Sequence, residues 1–255
     1  MSSRLLEERV AVLTGAGQGI GHAIASALGR HGAKGMILDL ESSNGSSEPP
    51  EGFETVPADV TVEEDLAGAF VQARERYGGI DIVVANAGIV PPWREAGALD
   101  LAEWTRVFAV NVAGVAATIK HGAAAMWDRG GAIIVTASVN ALKAPPGQMA
   151  YTTSKTALIG LVRTAAHDLG PKGIRVNAVA PGAVMTDALR QRIADRAADG
   201  GPPHGLVETT LRETSPLKQI VTEDDVAHAA LFLVSDWSRQ ITGHVLPVDA
   251  GLSVT

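Results

Sequence analysis

The chain has no cysteine. That excludes a disulfide framework, a thiolate metal site and a cysteine nucleophile. It has no basic excess either: 21 Lys+Arg stand against 28 Asp+Glu, a net charge of −7 at pH 7. A general nucleic-acid binder needs the opposite sign. The seven histidines (His22, His31, His121, His167, His204, His228 and His244) show no paired ligand spacing, so no metal site is expected. The first nine residues carry Glu7 and Glu8 and no apolar core, which is not the pattern of a secretory signal. The longest nearly apolar stretch, Val107 to Ile119, contains Asn111 and Thr118 and falls short of the about 20 residues of a membrane span. A soluble, cytoplasmic protein with neither a membrane nor a nucleic-acid partner is the expectation.

What is present points to a folded enzyme-sized domain. Hydrophobic residues make up 46% and charged residues 19%, too apolar a balance for a disordered chain. At 255 residues, roughly 70–75% of the unfolded surface can be buried without a covalent staple. Short runs rich in Val, Ile and Leu recur at Val10–Leu13, Met36–Leu38, Ile82–Ala85, Ala132–Thr136, Arg175–Ala180 and Val245–Val248. A further strand is expected before Asp59. The runs are near-continuous rather than alternating, as in a parallel sheet covered on both faces. Helical patterns fill the gaps at Ile20–Arg30, Glu63–Tyr77, Leu101–Met126, Tyr151–Leu169 and Glu223–Val234. The last begins Thr222-Glu223-Asp224-Asp225, a cap followed by acids that suit a helix N-terminus. Strand and helix alternate to the end, which predicts one doubly wound α/β domain spanning 1–255. Two segments break the rhythm. Residues 41–52 read ESSNGSSEPPEG, a loop where a helix would be due. Residues 186–215 carry DGGPPHG between two polar helical pieces, and their place after the sixth strand predicts a lid over a substrate.

After the first strand the chain runs Thr14-Gly15-Ala16-Gly17-Gln18-Gly19-Ile20-Gly21 into a helix. Glycines allow positive φ and close approach to a ligand, and the helix start behind them offers unpaired N–H groups. Together they suit a pyrophosphate. The spacing is not G-x-G-x-x-G, because Ile20 stands at the third glycine, and no Gly-Lys-Ser/Thr follows to make a P-loop. Asp39 ends the second strand, 24 residues after Gly15. A carboxylate there accepts hydrogen bonds from ribose hydroxyls and repels a 2′-phosphate. Leu40 and Glu41 follow it and Gln18 is neutral, so NAD is expected rather than NADP. Asp59 either bounds an adenine pocket or caps a helix.

Tyr151 and Lys155 are four residues apart, which puts both on one helix face. A free tyrosine, with pKa about 10, is only about 0.1% phenolate at pH 7, and bringing it to 7 takes roughly 4 kcal/mol. A nearby ammonium works in that direction. Ser138 ends the fifth strand, Asn86-Ala87-Gly88 the fourth, and Pro181-Gly182 the sixth, which is where ligand sites open in such sheets. Asn111 lies inside an otherwise apolar helix, where a polar side chain needs a reason.

With these residues in place, the chain resembles the short-chain dehydrogenase/reductase family, in its single-domain branch of about 250 residues. The matching elements are TGAGQGIG (14–21), Asp39, Asp59-Val60, NAG (86–88), Asn111, Ser138, YTTSK (151–155), PGAVMT (181–186) and Asp249-Ala250-Gly251. Two departures are small: Ala85-Asn86 in place of two asparagines, and Ala250 in place of a glycine. The resemblance implies a Rossmann-like sheet of seven parallel strands. It implies that Tyr151 is the general acid/base, that Ser138 holds the substrate oxygen, and that Lys155 lowers the Tyr151 pKa and binds the nicotinamide ribose. Asn111 would hold a relay water, Asn86 and Gly88 would lie along the cofactor, and Val184 and Thr186 would contact the nicotinamide carboxamide. The cofactor-binding set is then Gly15, Gln18, Gly19, Ile20, Gly21, Asp39, Asp59, Val60, Asn86, Gly88, Tyr151, Lys155, Pro181, Gly182, Val184 and Thr186. A homotetramer is also implied.

The expected activity is an NAD-dependent interconversion of a secondary alcohol and a ketone. A cyclic diol or sugar dehydrogenase, a 3-oxoacyl reductase and an NAD-sensing binding protein are the alternatives, and an intact Ser138, Tyr151 and Lys155 counts against a pure sensor. Trp93, Val139, Gln148, Met149 and Leu189 are expected to face the substrate. Trp93, Val139, Met149 and Leu189 imply a largely apolar pocket and hence a neutral, moderately hydrophobic substrate, with Arg94 and Arg190 as the arginines left open for a carboxylate.

Overall fold

A computed structural model of the chain describes residues 5–41, 48–198 and 200–255. Its strands are β1 (Val10–Thr14), β2 (Lys34–Asp39), β3 (Phe53–Pro57), β4 (Ile82–Ala85), β5 (Gly131–Thr136), β6 (Ile174–Pro181) and β7 (Val245–Val248). They form one sheet in the order β3-β2-β1-β4-β5-β6-β7, with every pairing parallel. The helices are α1 (Gly19–Arg30), α2 (Glu63–Tyr77), α3 (Leu101–Phe108), α4 (Val115–Met126), α5 (Met149–Leu169), α6 (Asp187–Ala198), α7 (His204–Thr214) and α8 (Glu223–Val234). This is the doubly wound, Rossmann-like arrangement expected, in a single domain.

The apolar runs are continuous because both faces of the sheet are covered. Val10, Val12, Val83, Ala85, Ile133 and Val135 point into one core layer, with α2, α4 and α5. Ala11, Leu13, Ile82, Val84, Ala132 and Ile134 point into the other, against α1 and α8. Alternate residues of each strand thus go to opposite layers, and all of these are essentially inaccessible to water. α8 starts as its sequence predicts: Thr222 and Asp225 form a reciprocal capping box. β3 is an edge strand of mixed polarity (FETVP), which is why no clean apolar run announces it. Of the loop at 41–52, residues 42–47 lie outside the described residues, and 48–52 lead irregularly into β3.

The helix expected at Leu101–Met126 is not uniform. α3 and α4 are joined by a π-helical segment, Ala109–Gly114, with the buried Asn111 inside it. The whole run of 26 residues is apolar and long enough to cross a membrane, longer than the stretch visible in the sequence. Its inner face is nevertheless committed to the core through Val107, Val115, Ile119, Ala123 and Met126. Where α4 begins, the chain passes so close to the 59–60 turn that a Cβ on Gly114 would lie 2.8 Å from Val60 Cγ2. That contact joins the helix to the mouth of the site.

After β7 the chain turns on Asp249, whose Oδ1 accepts from the Gly251 N–H at 2.9 Å and Oδ2 from the Ser253 N–H at 2.7 Å. The turn holds Ala250 at φ +53°, a left-handed conformation that costs an L-residue about 1–2 kcal/mol. The departure from glycine at this position therefore carries a strain. Ala250→Gly is expected to stabilise the protein by about 0.5–1 kcal/mol after the extra chain entropy of glycine is subtracted. Urea unfolding midpoints of the two proteins measure it, and an unchanged or lower midpoint would contradict the strain.

Candidate active site

The C-terminal ends of β1, β4, β5 and β6 open into one cavity of about 720 Å³. Its floor is the glycine loop. Gly15 has φ +62°, and a Cβ there would fall 2.6 Å from Ala87 Cα. A Cβ on Gly21 would lie 2.5 Å from both Asn86 Nδ2 and the Gly15 carbonyl oxygen. Asn86 Nδ2 itself donates to that oxygen at 2.6 Å, and the Thr14 hydroxyl accepts from the N–H groups of Asn86 and Ala87 at 3.2 and 3.3 Å. The ends of β1 and β4 are thus stitched together. α1 then starts at Gly19 with no side-chain cap from Gln18 and no acid in its first turn. An uncapped helix start behind a bare glycine turn is an anion site.

Asp39 stands at one end of the cavity. Its Oδ2 accepts from the Gly17 N–H at 2.7 Å and its Oδ1 from the Leu40 N–H at 2.8 Å. Each oxygen keeps a lone pair for a further donor. Asp59 lines the same end and braces the turn before α2, accepting from the Thr61 N–H at 2.8 Å and hydroxyl at 2.7 Å; it does not cap the helix, whose N-cap position is Val62. Val60, Gly19, Ile20, Gly88, Pro181, Gly182, Val184 and Thr186 also lie on the wall. The bare backbone at Gly15–Gly21, the carboxylate at Asp39 and the cation at Lys155 fit the pyrophosphate, adenosine ribose and nicotinamide portions of a dinucleotide along one continuous wall.

At the other end Ser138, Tyr151 and Lys155 share the wall. Ser138 follows β5 and accepts from the Asn140 N–H at 3.1 Å, which leaves its hydroxyl hydrogen to donate. Lys155 is 4% exposed, and its ammonium donates to the Thr136 carbonyl oxygen at 2.8 Å. Burial pulls its pKa down to about 8. Burial pushes the Tyr151 phenol up from its ordinary value, against the opposing pull of the Ser138 hydroxyl and the Arg192 charge. The sequence makes Lys155 the main pull on that phenol. Its ammonium is instead turned to Thr136 and lies 5.8 Å from the Tyr151 ring centroid.

Asn111 is not on the cavity wall; it lies one layer behind it, 0% exposed. Its Oδ1 accepts from the Ile89 N–H at 2.8 Å, while Nδ2 donates to the Ile89 carbonyl at 2.9 Å and to Ser154 Oγ at 3.1 Å. Both amide hydrogens are committed. The side chain clamps the backbone after Gly88 and does not reach into the cavity. A Cβ on Gly88 would meet Asn111 Oδ1 at 3.3 Å and Lys155 Nζ at 3.4 Å, so this clamp sets the floor under Lys155.

Of the expected substrate residues, Trp93, Val139, Gln148 and Leu189 line the cavity. Met149 does not: as the first residue of α5 it points outward and is 44% exposed. Arg94 is held by Glu103 at 3.1 Å, and Arg190 is not on the wall. Two arginines that the sequence did not single out are on it, Arg192 and Arg196, one turn apart on α6. Their spacing is plain in the sequence, but nothing there shows which face of α6 turns inward.

The burial of Lys155 makes stability depend on pH. Unfolded, it keeps its proton up to about 10.5; folded, only below about 8. Between those values the unfolded chain binds the extra proton, so stability rises with pH there, and the burial penalty is complete below 8. The gap corresponds to about 3 kcal/mol, less about 1 for the bond to Thr136. Lys155→Met is therefore expected to raise the stability of the protein without cofactor at pH 7 by about 2 kcal/mol, with the gain lost by pH 10.5. Thermal unfolding at the two pH values checks this; a variant no more stable than wild type at pH 7 would refute it.

Comparison with known proteins agrees with this fold. Residues 15–253 match a family model described as enoyl-(acyl carrier protein) reductase. Short-chain dehydrogenase reductase 3a of Arabidopsis thaliana is 39% identical over 100% of this chain and 98% of its own. Levodione reductase superposes with a TM-score of 0.89 at 29% identity, covering 98% of this chain and 99% of the other. The 3-ketoacyl-(acyl-carrier-protein) reductase of Brucella melitensis, solved with NADH, superposes with a TM-score of 0.87 at 30% identity, covering 97% and 99%.

Proposed function

As the chain belongs to the short-chain dehydrogenase/reductase family, we propose that it is an NAD-dependent oxidoreductase that interconverts a secondary alcohol and a ketone. The observation that carries this reading is the convergence of Ser138, Tyr151 and Lys155 on the same cavity as the glycine loop. A bound nicotinamide supplies or accepts the hydride. The chain does the rest. The Ser138 hydroxyl donates to the substrate oxygen and fixes its position. The Tyr151 phenol gives that oxygen a proton in reduction and takes one in oxidation. Burial keeps the phenol protonated, which is the form reduction requires. Oxidation requires the phenolate, so it needs the positive charge of Lys155 and of an oxidised nicotinamide nearby.

For the cofactor, the support is Asp39. Its carboxylate is held in place by the N–H groups of Gly17 and Leu40, its carbonyl accepts from the Ala58 N–H, and no lysine or arginine is among these neighbours. A 2′-phosphate would meet a fixed negative charge there. The Brucella neighbour was solved with NADH, which is consistent with this choice. α6 and α7, over 186–215, are read as a lid that excludes water when substrate is bound. The half-exposed apolar edge of β7 supports a homotetramer, as does the family resemblance.

Three outcomes test this. Tyr151→Phe is expected to lower kcat by about 10²–10⁴ with NADH affinity kept, followed by NADH fluorescence; turnover near wild type would sink the assignment. Oxidation rates should rise with pH and reduction rates fall, as the phenol titrates. With one substrate, kcat/KM for NAD should exceed that for NADP by at least about tenfold, and a preference for NADP would refute the reading of Asp39.

A further inference from the structure

Arg192 is a charged group on the cavity wall that the chemistry above leaves unused. It projects from α6 onto the wall beside Leu189 and Ile193. Its guanidinium carbon lies 4.2 Å from the Trp93 ring centroid, and that of Arg196 lies 4.8 Å from the same ring. Two cations therefore share one indole. Arg192 Nη2 donates to the Pro91 carbonyl oxygen at 3.1 Å. Among the described residues neither arginine forms an ion pair, although Asp187 and Glu223 also line the cavity. An arginine carries five N–H donors in a planar fork that matches a carboxylate, and here most of that fork is unspent. Burial works against its charge, and the titratable group it feels is Tyr151. A half-buried cation that meets an acceptor carbonyl and an aromatic face, but no acid, is arranged for an anion that arrives with the ligand.

We propose that Arg192, assisted by Arg196, selects a substrate that carries a carboxylate remote from its reacting carbinol or ketone. The apolar body between the two groups would lie against Trp93, Val139 and Ile193. The inference rests on the oxidoreductase reading and names the substrate class of that same site. A cofactor phosphate is the other anion in reach of the cavity. The glycine loop and the start of α1 serve it at Gly15–Gly21, whereas the neighbours of Arg192 are Pro91, Trp93 and Tyr151. The spacing of Arg192 from Tyr151 sets the length of the substrate, and Lys in its place keeps the charge but loses the fork.

The test uses the penultimate-carbon hydroxyalkanoates from 3-hydroxybutyrate to 6-hydroxyheptanoate, each beside its uncharged amide, with NAD. Wild type is expected to prefer the acid at one chain length. Arg192→Met should reduce that acid-over-amide ratio by about 30-fold, chiefly through KM, and Arg192→Lys should keep part of it. No acid preference at any length, or one that survives Arg192→Met, overturns the inference while leaving the oxidoreductase reading intact. NADH titration runs in parallel. Retained affinity shows that Arg192→Met is folded, and a loss of NADH affinity equal to the loss of acid preference assigns Arg192 to the cofactor and overturns the inference. If neither acids nor amides turn over, calorimetry of hexanoate binding to the NADH complex decides alone, and the reaction assignment is judged separately by Tyr151→Phe on a substrate that does turn over. Binding weakened about 30-fold in Arg192→Met supports the inference; equal binding overturns it.

Discussion

Three stretches of backbone meet at the ends of β1 and β4 with no room for a side chain between them. Gly15 lies against Ala87, Gly21 lies against Asn86 and the Gly15 carbonyl, and the Asn86 amide closes the gap with a 2.6 Å bond. This close approach occurs where the sheet order turns back, with β2 and β3 to one side of β1 and β4 to β7 to the other. The crevice there is a consequence of the topology. The glycines decide that it is lined by N–H groups rather than by side chains. A Cβ on Gly15 or Gly21 would separate the strands and tilt α1 away, and the anion site would be lost with the strand contact. Binding and packing are served by the same atoms.

The opposite end of the cavity is built on a cost. Lys155 is buried with a single backbone acceptor, and Tyr151 is enclosed enough to hold its proton tightly. Neither group is at its most stable in that state. The surrounding structure holds them there: Asn111 clamps Ile89 from behind, the π-helical turn aims Asn111, and Gly114 lets that turn settle on Val60. Local rules of stability are broken at a functional site and upheld everywhere around it. A ligand hydroxyl that accepts from the ammonium, or a developing phenolate, would relieve part of the cost, which couples binding and proton transfer to the same two side chains.

Most of this was legible in the residues. The runs of β1, β2, β4, β5 and β6 declared themselves because each strand is buried on both faces, β7 kept an apolar run although it is a half-exposed edge strand, and the bounds of all six agree to within a residue or two. The glycine turn, Asp39 and the Tyr151–Lys155 pair carry their chemistry in their spacing. Other features were hidden for physical reasons. β3 is an edge strand with one face partly wet, so its pattern is faint. A π-helical turn keeps a helical composition, so the periodicity at Leu101–Met126 reads straight through it. Met149 and Arg192 show the limit of argument by proximity. Met149 precedes Tyr151 by two positions and faces outward; Arg192 lies 41 positions beyond Tyr151 and faces inward. Only the rotation of α5 and α6 about their axes separates the two outcomes.

Asp39 bears on how such a protein can change over evolutionary time. Its Oδ2 accepts from the Gly17 N–H at 2.7 Å, so the carboxylate that would meet the ribose also braces the glycine loop. A lineage drifting toward a phosphorylated cofactor cannot simply trade this acid for a neutral residue and add a basic one nearby. The exchange removes the bond from the Gly17 N–H to Asp39 before any new affinity is gained. The accessible route begins with a substitution that supplies Gly17 with another acceptor, neutral in its own effect, after which Asp39 becomes free to vary.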